Sequence, residues 1–385
     1  MSDNFTGTKP VAERHAFDIA ALQSHLEARL HGFAGPLTVE QFKGGQSNPT
    51  YKLVTPGAAY VMRSKPGPAA KLLASAHAIE REFRVMSALV STGVPVPRMH
   101  LLCEDESVIG RAFYVMECVQ GRVLWDQSLP GMTSAERAAH YDEMNRVIAT
   151  LHSVDVQAAG LADYGRPGNY FERQIGRWSK QYAASATESI PAMDDLMAWL
   201  PGHIPDGARD ETQVSVVHGD FRLDNLIFHP SEPRILAVLD WELSTTGHPL
   251  ADFSYHCMSW HIPPGAFRGI GGLDLAALGI PAEKDYVRRY CERTGRTADG
   301  ATDAVMRDWN FYLAYNLFRL AAILQGIVKR ARDGTAASAQ AAQTAAGTRQ
   351  LAEMGWRFAM NDNPKTPSAS PPAGSSALLG RPGEG

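Results

Sequence analysis

The stretch QVSVVHGDFRLDNLIFHPSEPRILAVLDWELSTTGHPLAD, residues 213–252, constrains this chain more than any other. It contains two short apolar runs, Val214–Val217 and Ile235–Leu239. Runs of this length, rich in Val, Ile and Leu and bounded by polar residues, read as buried strands. Each run ends in a polar cluster. His218-Gly219-Asp220 and then Asp224-Asn225 follow the first, and Asp240-Trp241-Glu242 follows the second. Asp220 and Asn225 stand five positions apart on a loop, and Asp240 sits at the mouth of the next strand.

A lone HGD is an ordinary polar turn, and a lone DWE starts a helix or caps a strand. Together, twenty positions apart and each behind a strand, they fit one chemistry. Phosphoryl transfer asks a protein to hold Mg²⁺ on ATP phosphates and to supply a carboxylate that orients and deprotonates the attacking hydroxyl. Asp220 fits the base. Asn225 and Asp240 fit the metal ligands, because Mg²⁺ takes a few hard oxygens and leaves the rest to water and phosphate. His218 and Gly219 shape the loop. The arrangement resembles the H-x-D-x-x-x-x-N and D-F-G pair of protein kinases. With HGD for HRD and DWE for DFG, it is similar to the aminoglycoside phosphotransferase family of small-molecule kinases.

Upstream, Phe17–Leu30 carries Ile19, Leu22, Leu26 and Leu30 at helical spacing, and Gly32 stops it. Residues 1–15 are polar and expected to be loose. Leu37–Phe42, Thr50–Val54 and Ala59–Arg63 read as strands, with Gly44-Gly45-Gln46-Ser47-Asn48 as the first turn. Most Gly-Gly turns are only hairpins. Upstream of the catalytic cluster, this one fits a loop whose backbone N–H groups cover nucleotide phosphates. Ala74–Val90 reads as a helix with Ile79, Phe83, Met86 and Leu89 on one face. Arg98–Cys103 and Arg111–Cys118 read as two further strands.

The resemblance assigns roles here. Arg63 stands where protein kinases carry the phosphate-binding Lys; Arg grips phosphate bidentately. Lys65 is its rival for the phosphates. Glu82 aligns as the partner of Arg63, with Glu80 as the alternative. Met116, Glu117 and Cys118 fall at the hinge between lobes, where backbone groups bind adenine. Asp252 supports the catalytic loop. At the position before it the family usually shows Gly-Asp-Pro, whereas this chain has Gly247-His248-Pro249, with His248 expected to be packed or exposed rather than catalytic.

Downstream the pattern is helical. Thr133-Ser134-Ala135-Glu136 is a capping box opening a helix through His152. Further helices are expected over Tyr170–Ala184, Ala192–Leu200, Ala282–Arg293, Ala301–Lys329 and Ala336–Met360, with another starting at Pro249. Phe311–Val328 is long and apolar but carries Asn316, Arg319 and Gln325, so it reads as a buried helix rather than a membrane span. From Asn361 the chain is rich in Pro, Ser and Gly and is expected to be a disordered tail.

Composition narrows the class. A 385-residue chain holds two or three structural units. A net charge of −4, with no Lys/Arg run, implies no nucleic-acid face. Cys103, Cys118, Cys257 and Cys291 are scattered, as expected of reduced thiols in a cytoplasmic protein, and no apolar leader precedes the first helix.

The resemblance covers about residues 35–330. It implies an α+β, protein-kinase-like, two-lobed fold: an extension over residues 1–35, a small antiparallel sheet with one main helix over 36–118, a mainly helical lobe over 119–360, and a tail over 361–385. It implies ATP- and Mg²⁺-dependent phosphorylation of a small-molecule hydroxyl. GGQSNPTYKL, VMRSKPG, SAHAIEREFRVMSAL, HGDFRLDNLIFHP and LDWELSTTGHPLAD are similar to the kinase-like domain fused to some acyl-CoA dehydrogenases and to freestanding bacterial relatives. That subgroup implies a hydroxyacyl-CoA acceptor and an acyl-CoA dehydrogenase in the same pathway. The alternatives are an antibiotic kinase, whose aminoglycoside pocket would be acidic, and a non-catalytic pseudokinase. A hydrolase is disfavoured because no G-x-S-x-G elbow is present.

Overall fold

The computed structural model describes residues 7–43, 48–66, 78–166, 168–265, 269–297, 300–333 and 341–361. The N-terminal part is a six-stranded antiparallel sheet. Its strands are β1 (Thr8–Lys9), β2 (Thr38–Phe42), β3 (Thr50–Val54), β4 (Ala59–Ser64), β5 (Met99–Cys103) and β6 (Phe113–Glu117), in the order β1-β2-β3-β4-β6-β5. Successive side chains on a strand point to opposite faces, and the sheet uses both. Met62, Phe113 and Val115 pack on one side with Leu22 and Leu26 of helix α1 (Ile19–Arg29). Val61, Tyr114 and Met116 pack on the other with Val85, Met86 and Leu89 of helix α2 (Ile79–Leu89). Arg63 shares the face of Val61 and is the cross-strand partner of Tyr114, so it too faces α2.

Two expectations change here. Residues 8–16 are tied down: β1 pairs with β2, and the guanidinium of Arg111 donates to the carbonyls of His15 and Ala16 at 3.2 and 2.8 Å. Backbone pairing and a cation reached from far along the chain leave no apolar pattern in sequence. Helix α2 runs from Ile79, and the first residues of the expected helix, with the Gly44–Ser47 turn, lie outside the described residues.

Past β6 the chain crosses at residues 118–121 into the larger, mainly helical part. There β7 (Arg122–Val123) pairs with β9 (Leu226–Phe228), which pairs with β10 (Ile235–Val238). Strand β8 (Ser215–Val217) pairs with β11 (Thr245–Gly247). The crossing is tight: a Cβ on Gly121 would stand 2.3 Å from the Phe228 carbonyl oxygen.

Helix α3 (Ser134–His152) opens with the expected capping box, Thr133 Oγ1 accepting from Glu136 N–H at 3.2 Å and Glu136 Oε2 from Thr133 N–H at 2.7 Å. Then come α4 (Tyr170–Ser185), α5 (Pro191–Trp199), α6 (Asp206–Arg209), α7 (Pro249–Cys257), α8 (Leu275–Leu278) and α9 (Glu283–Arg293). The helix expected over Ala301–Lys329 is two, α10 (Ala301–Arg307) and α11 (Trp309–Arg332), because Asp308 leaves the helical region at φ −91°, ψ 6°. The last helix, α12 (Ala341–Asn361), packs along α11.

Helix α11 is long and apolar enough to cross a membrane by composition, but 83% of its most apolar stretch is buried inside the protein. Its polar residues hold neighbours. Asn316 Nδ2 donates to Ala251 O and Ser254 Oγ, and Gln325 Nε2 donates to Ser185 O. A buried polar side chain avoids a desolvation penalty only when paired in this way.

Candidate active site

Strand β8 delivers His218, Gly219 and Asp220, and strand β10 delivers Asp240. The loop after β8 is built from its backbone outward. Gly219 has φ +85°, and a Cβ there would meet the Leu243 carbonyl oxygen at 2.9 Å, so only glycine fits without displacement. Asp252, buried on α7, accepts the backbone N–H groups of His218 at 2.7 Å and Gly219 at 2.8 Å. It also meets His152 Nε2 at 3.2 Å. Burial alone would raise its pKa; the bonds from His152 and the loop amides outweigh that and hold it below the usual carboxylate value. Burial lowers the pKa of His152, so its imidazole is neutral, with Nε2–H toward Asp252 and Nδ1 accepting from Tyr290 O–H at 2.7 Å. His218 is also fixed: Nε2 bonds the Leu239 carbonyl at 2.9 Å, and Nδ1 accepts Asp220 N–H at 3.2 Å.

Asp220 is held at both oxygens. Tyr255 O–H donates to Oδ1 at 2.6 Å, and Asn225 Nδ2 donates to Oδ2 at 3.0 Å and to the Asp220 carbonyl at 2.9 Å. Burial, then the carboxylate beside it, raises the pKa of Tyr255, which keeps the phenol a donor. Arg222 Nε stands 3.2 Å from Asp220 Oδ1, and its Nη2 3.5 Å from Asp224 Oδ2. The Asn225 amide nitrogen is committed to Asp220, which leaves its carbonyl oxygen as the ligand atom.

Across the cleft, Arg63 gathers three carboxylates. Its Nε lies 3.0 Å from Glu82 Oε2, and its Nη2 lies 3.0 Å from both Asp240 Oδ1 and Glu242 Oε2. Glu82 is further held by Asn48 Nδ2 and Tyr114 O–H, each at 3.0 Å. Burial raises the pKa of Glu82, with Arg63 working against that rise. Burial works to lower that of Arg63, but Glu82 and its other partners outweigh it and leave the guanidinium firmly charged. Lys65 pairs instead with Glu80. Asp240 itself has φ +66°, an uncommon conformation for a residue with a side chain and one that clusters at functional positions.

One guanidinium against three carboxylates leaves this side of the cleft electronegative, and its donor atoms are hard oxygens. Among the described residues no group of three or more His, Cys, Asp or Glu encloses a metal. Hard oxygens such as Asn225 Oδ1 and the Asp240 carboxylate are the donor type that Mg²⁺ takes, with water and phosphate completing its shell.

Met116 and Glu117 lie at the end of β6, where Tyr60 is opposite Glu117 and Met99 opposite Met116. Cys118 begins the crossing, its carbonyl accepting from Gln120 Nε2 at 3.3 Å. Of the expected nucleotide-loop residues, Asn48 is buried against Glu82, and Gly44, Gly45, Gln46 and Ser47 lie outside the described residues. His248 is buried, bonded to Gly207 O at 3.2 Å, and takes no part in the site.

Sequence reasoning did not assign roles to Glu242, Tyr255, Arg222 or His152. Tyr255 could have been found: it lies three residues after Asp252, one helical turn along the same face. The LHSVD segment that holds His152 resembles the family's helix end, but its bond to Asp252, a hundred residues on, leaves no local signal.

The profile of the phosphotransferase enzyme (APH) family matches residues 38–297. The chain is 46% identical over 358 residues to acyl-CoA dehydrogenase family member 10 of Mus musculus, covering 92% of this chain and 32% of that protein. It is 41% identical over 362 residues to family member 11 of Homo sapiens, covering 92% and 45%. The chain therefore spans about a third to a half of the length of these curated relatives. A solved protein from Ralstonia eutropha JMP134, provisionally described as an aminoglycoside phosphotransferase, is 65% identical with TM-score 0.81, covering 90% of this chain and 99% of that one. Plasmodium vivax ethanolamine kinase shares the fold at 12% identity and TM-score 0.58, covering 88% of this chain and 86% of that one. The chain belongs to the APH phosphotransferase family and carries its protein-kinase-like fold.

Proposed function

We propose that the protein transfers the γ-phosphoryl group of ATP to the hydroxyl of a hydroxyacyl-CoA. The observation that carries the transfer chemistry is the setting of Asp220. One oxygen accepts from Tyr255 and the other from Asn225, so the carboxylate is oriented on a loop opposite the Arg63 cluster. An acceptor hydroxyl beside Asp220 gives up its proton to that carboxylate as its oxygen bonds to phosphorus, and the bond to ADP breaks. Asn225 and Asp240 would hold Mg²⁺, whose charge offsets that of the phosphates. Arg63, steadied by Glu82, grips phosphate oxygens. Chemistry of this kind is mostly positioning and charge stabilisation.

The acceptor rests on kinship. Relatives at 46% and 41% identity are named acyl-CoA dehydrogenase family members, and this chain matches only part of each. That supports an acyl-CoA acceptor and an acyl-CoA dehydrogenase acting in the same reaction sequence.

The test is ADP release with Mg·ATP against 4-hydroxyacyl-CoAs of several lengths, the matching free acids, kanamycin and erythromycin. Turnover on the thioesters alone supports the reading. Turnover confined to an antibiotic overturns the acceptor, and ATP binding without turnover on anything favours a pseudokinase. Asp220→Asn should lower kcat by about 10²–10⁴-fold, the usual weight of a positioned base, with ATP affinity kept. Chelation should stop ADP release, and added Mg²⁺ should restore it.

A further inference from the structure

Beside the catalytic loop lies a group of side chains that the transfer step does not use. Arg319, on α11, is 8% exposed, and its Nη2 donates to the Gly219 carbonyl at 2.6 Å. Its guanidinium carbon lies 5.0 Å from the ring centre of Tyr255 and 5.7 Å from that of Trp178 on α4. Tyr255 is the residue that donates to Asp220. One buried cation therefore touches the loop that carries the base and the aromatic wall next to it. Exposed Arg177 approaches the same indole, its guanidinium carbon 5.0 Å from the ring centre.

Among the described residues, Arg319 and Arg177 form no ion pair with a carboxylate; burial works to lower the pKa of Arg319, but the tyrosines around it and Asp220 outweigh that and keep it charged. Trp178 is 6% exposed, and its Nε1–H has no acceptor. A buried N–H without an acceptor is costly, and the Arg319 fork, with one bond given to Gly219, keeps further N–H donors. A carbonyl or anionic oxygen brought in by a ligand would give that N–H an acceptor and meet the positive charge of Arg319.

We propose that Arg319 and Trp178 form the acceptor's oxygen subsite, with Arg177 at its exposed rim. They bind a carbonyl or anionic oxygen of the acceptor while its hydroxyl faces Asp220. This rests on the kinase reading above and deepens it: the acceptor is an acyl compound, not a polyamine. A polycationic aminoglycoside would meet guanidinium groups where it needs carboxylates, so the same residues select against it.

The experiment is calorimetric titration of the full chain with hexanoyl-CoA, which has no hydroxyl to phosphorylate. Trp178→Phe keeps a ring and removes the N–H; Arg319→Lys keeps the charge and loses the fork. Trp178→Phe should weaken binding about tenfold, the weight of one good hydrogen bond, and Arg319→Lys by more. For Trp178→Phe, affinity for Mg·ATP and Tm should be unchanged, and on a hydroxyacyl-CoA the loss should fall on KM rather than kcat. Equal binding by Trp178→Phe and the wild type overturns the subsite. So does a wild type that binds kanamycin and not hexanoyl-CoA. The ADP assay decides the kinase reading separately: a silent wild type whose hexanoyl-CoA binding still depends on Trp178 keeps the subsite and loses the reaction.

Discussion

Arg63 shows how much one position depends on its neighbours. Residues 61, 63 and 65 share a strand face by alternation, so period alone cannot choose between Arg63 and Lys65. The choice is made by position along the strand: Arg63 lies opposite Tyr114 and meets Glu82, Asp240 and Glu242, while Lys65, past the end of β4, meets Glu80. A planar fork can serve several carboxylates at once, which a Lys ammonium cannot do with the same geometry. Glu82→Gln is the test at this scale. It keeps the shape of the side chain and removes the anion. The expected result is a stability loss of about 1–3 kcal/mol and an ATP KM raised several-fold, read by urea unfolding and steady-state kinetics. An unchanged KM would remove Arg63 from phosphate binding.

Among the elements, the loop that carries Asp220 is held from behind by one helix. Helix α7 places Asp252 against the loop amides and Tyr255 against Asp220. The strands on either side of this loop were legible as apolar runs, and so was the start of α7 at Pro249. The pairing of β8 with β11, and of β7 with β9, was not, because runs of two or three residues carry no alternation to read. The break at Asp308 was hidden for a related reason: Asp is tolerated within a helix, and only packing shows that α10 and α11 part there. Gly219→Ala belongs to this scale. The added methyl meets the Leu243 carbonyl oxygen and the positive φ costs about 1–2 kcal/mol, so the loop must shift. A large fall in kcat with a Tm loss of a few degrees is expected; wild-type kcat would show that the loop tolerates another path.

For the molecule as a whole, burial sets the response to acid. Burial lowers the pKa of His248 and of His256 to about 4. An unfolded chain binds those protons near pH 6.5, so acidification favours unfolding. The stabilisation is complete above about pH 6.5 and lost as pH falls toward about 4, at about 1.4 kcal/mol per pH unit for each histidine. Chemical-unfolding midpoints should fall across that window, and His248→Gln should flatten the slope. A slope unchanged by the substitution would mean that His248 does not contribute.

Local chemistry determined a good deal without tertiary structure. The alternating and helical apolar patterns and the capping box at Thr133 marked much of the fold, and the spacing of Asp220, Asn225 and Asp240 marked the candidate site. These features act over a few residues, so they are written in adjacent letters. Tertiary structure alone decided which cation takes which acid, that Tyr255 and Arg319 brace the loop of Asp220, and that His152 reaches Asp252. Such contacts join residues 15 to 177 positions apart. They follow from how strands and helices stack to bury their apolar faces, and no local pattern encodes that stacking.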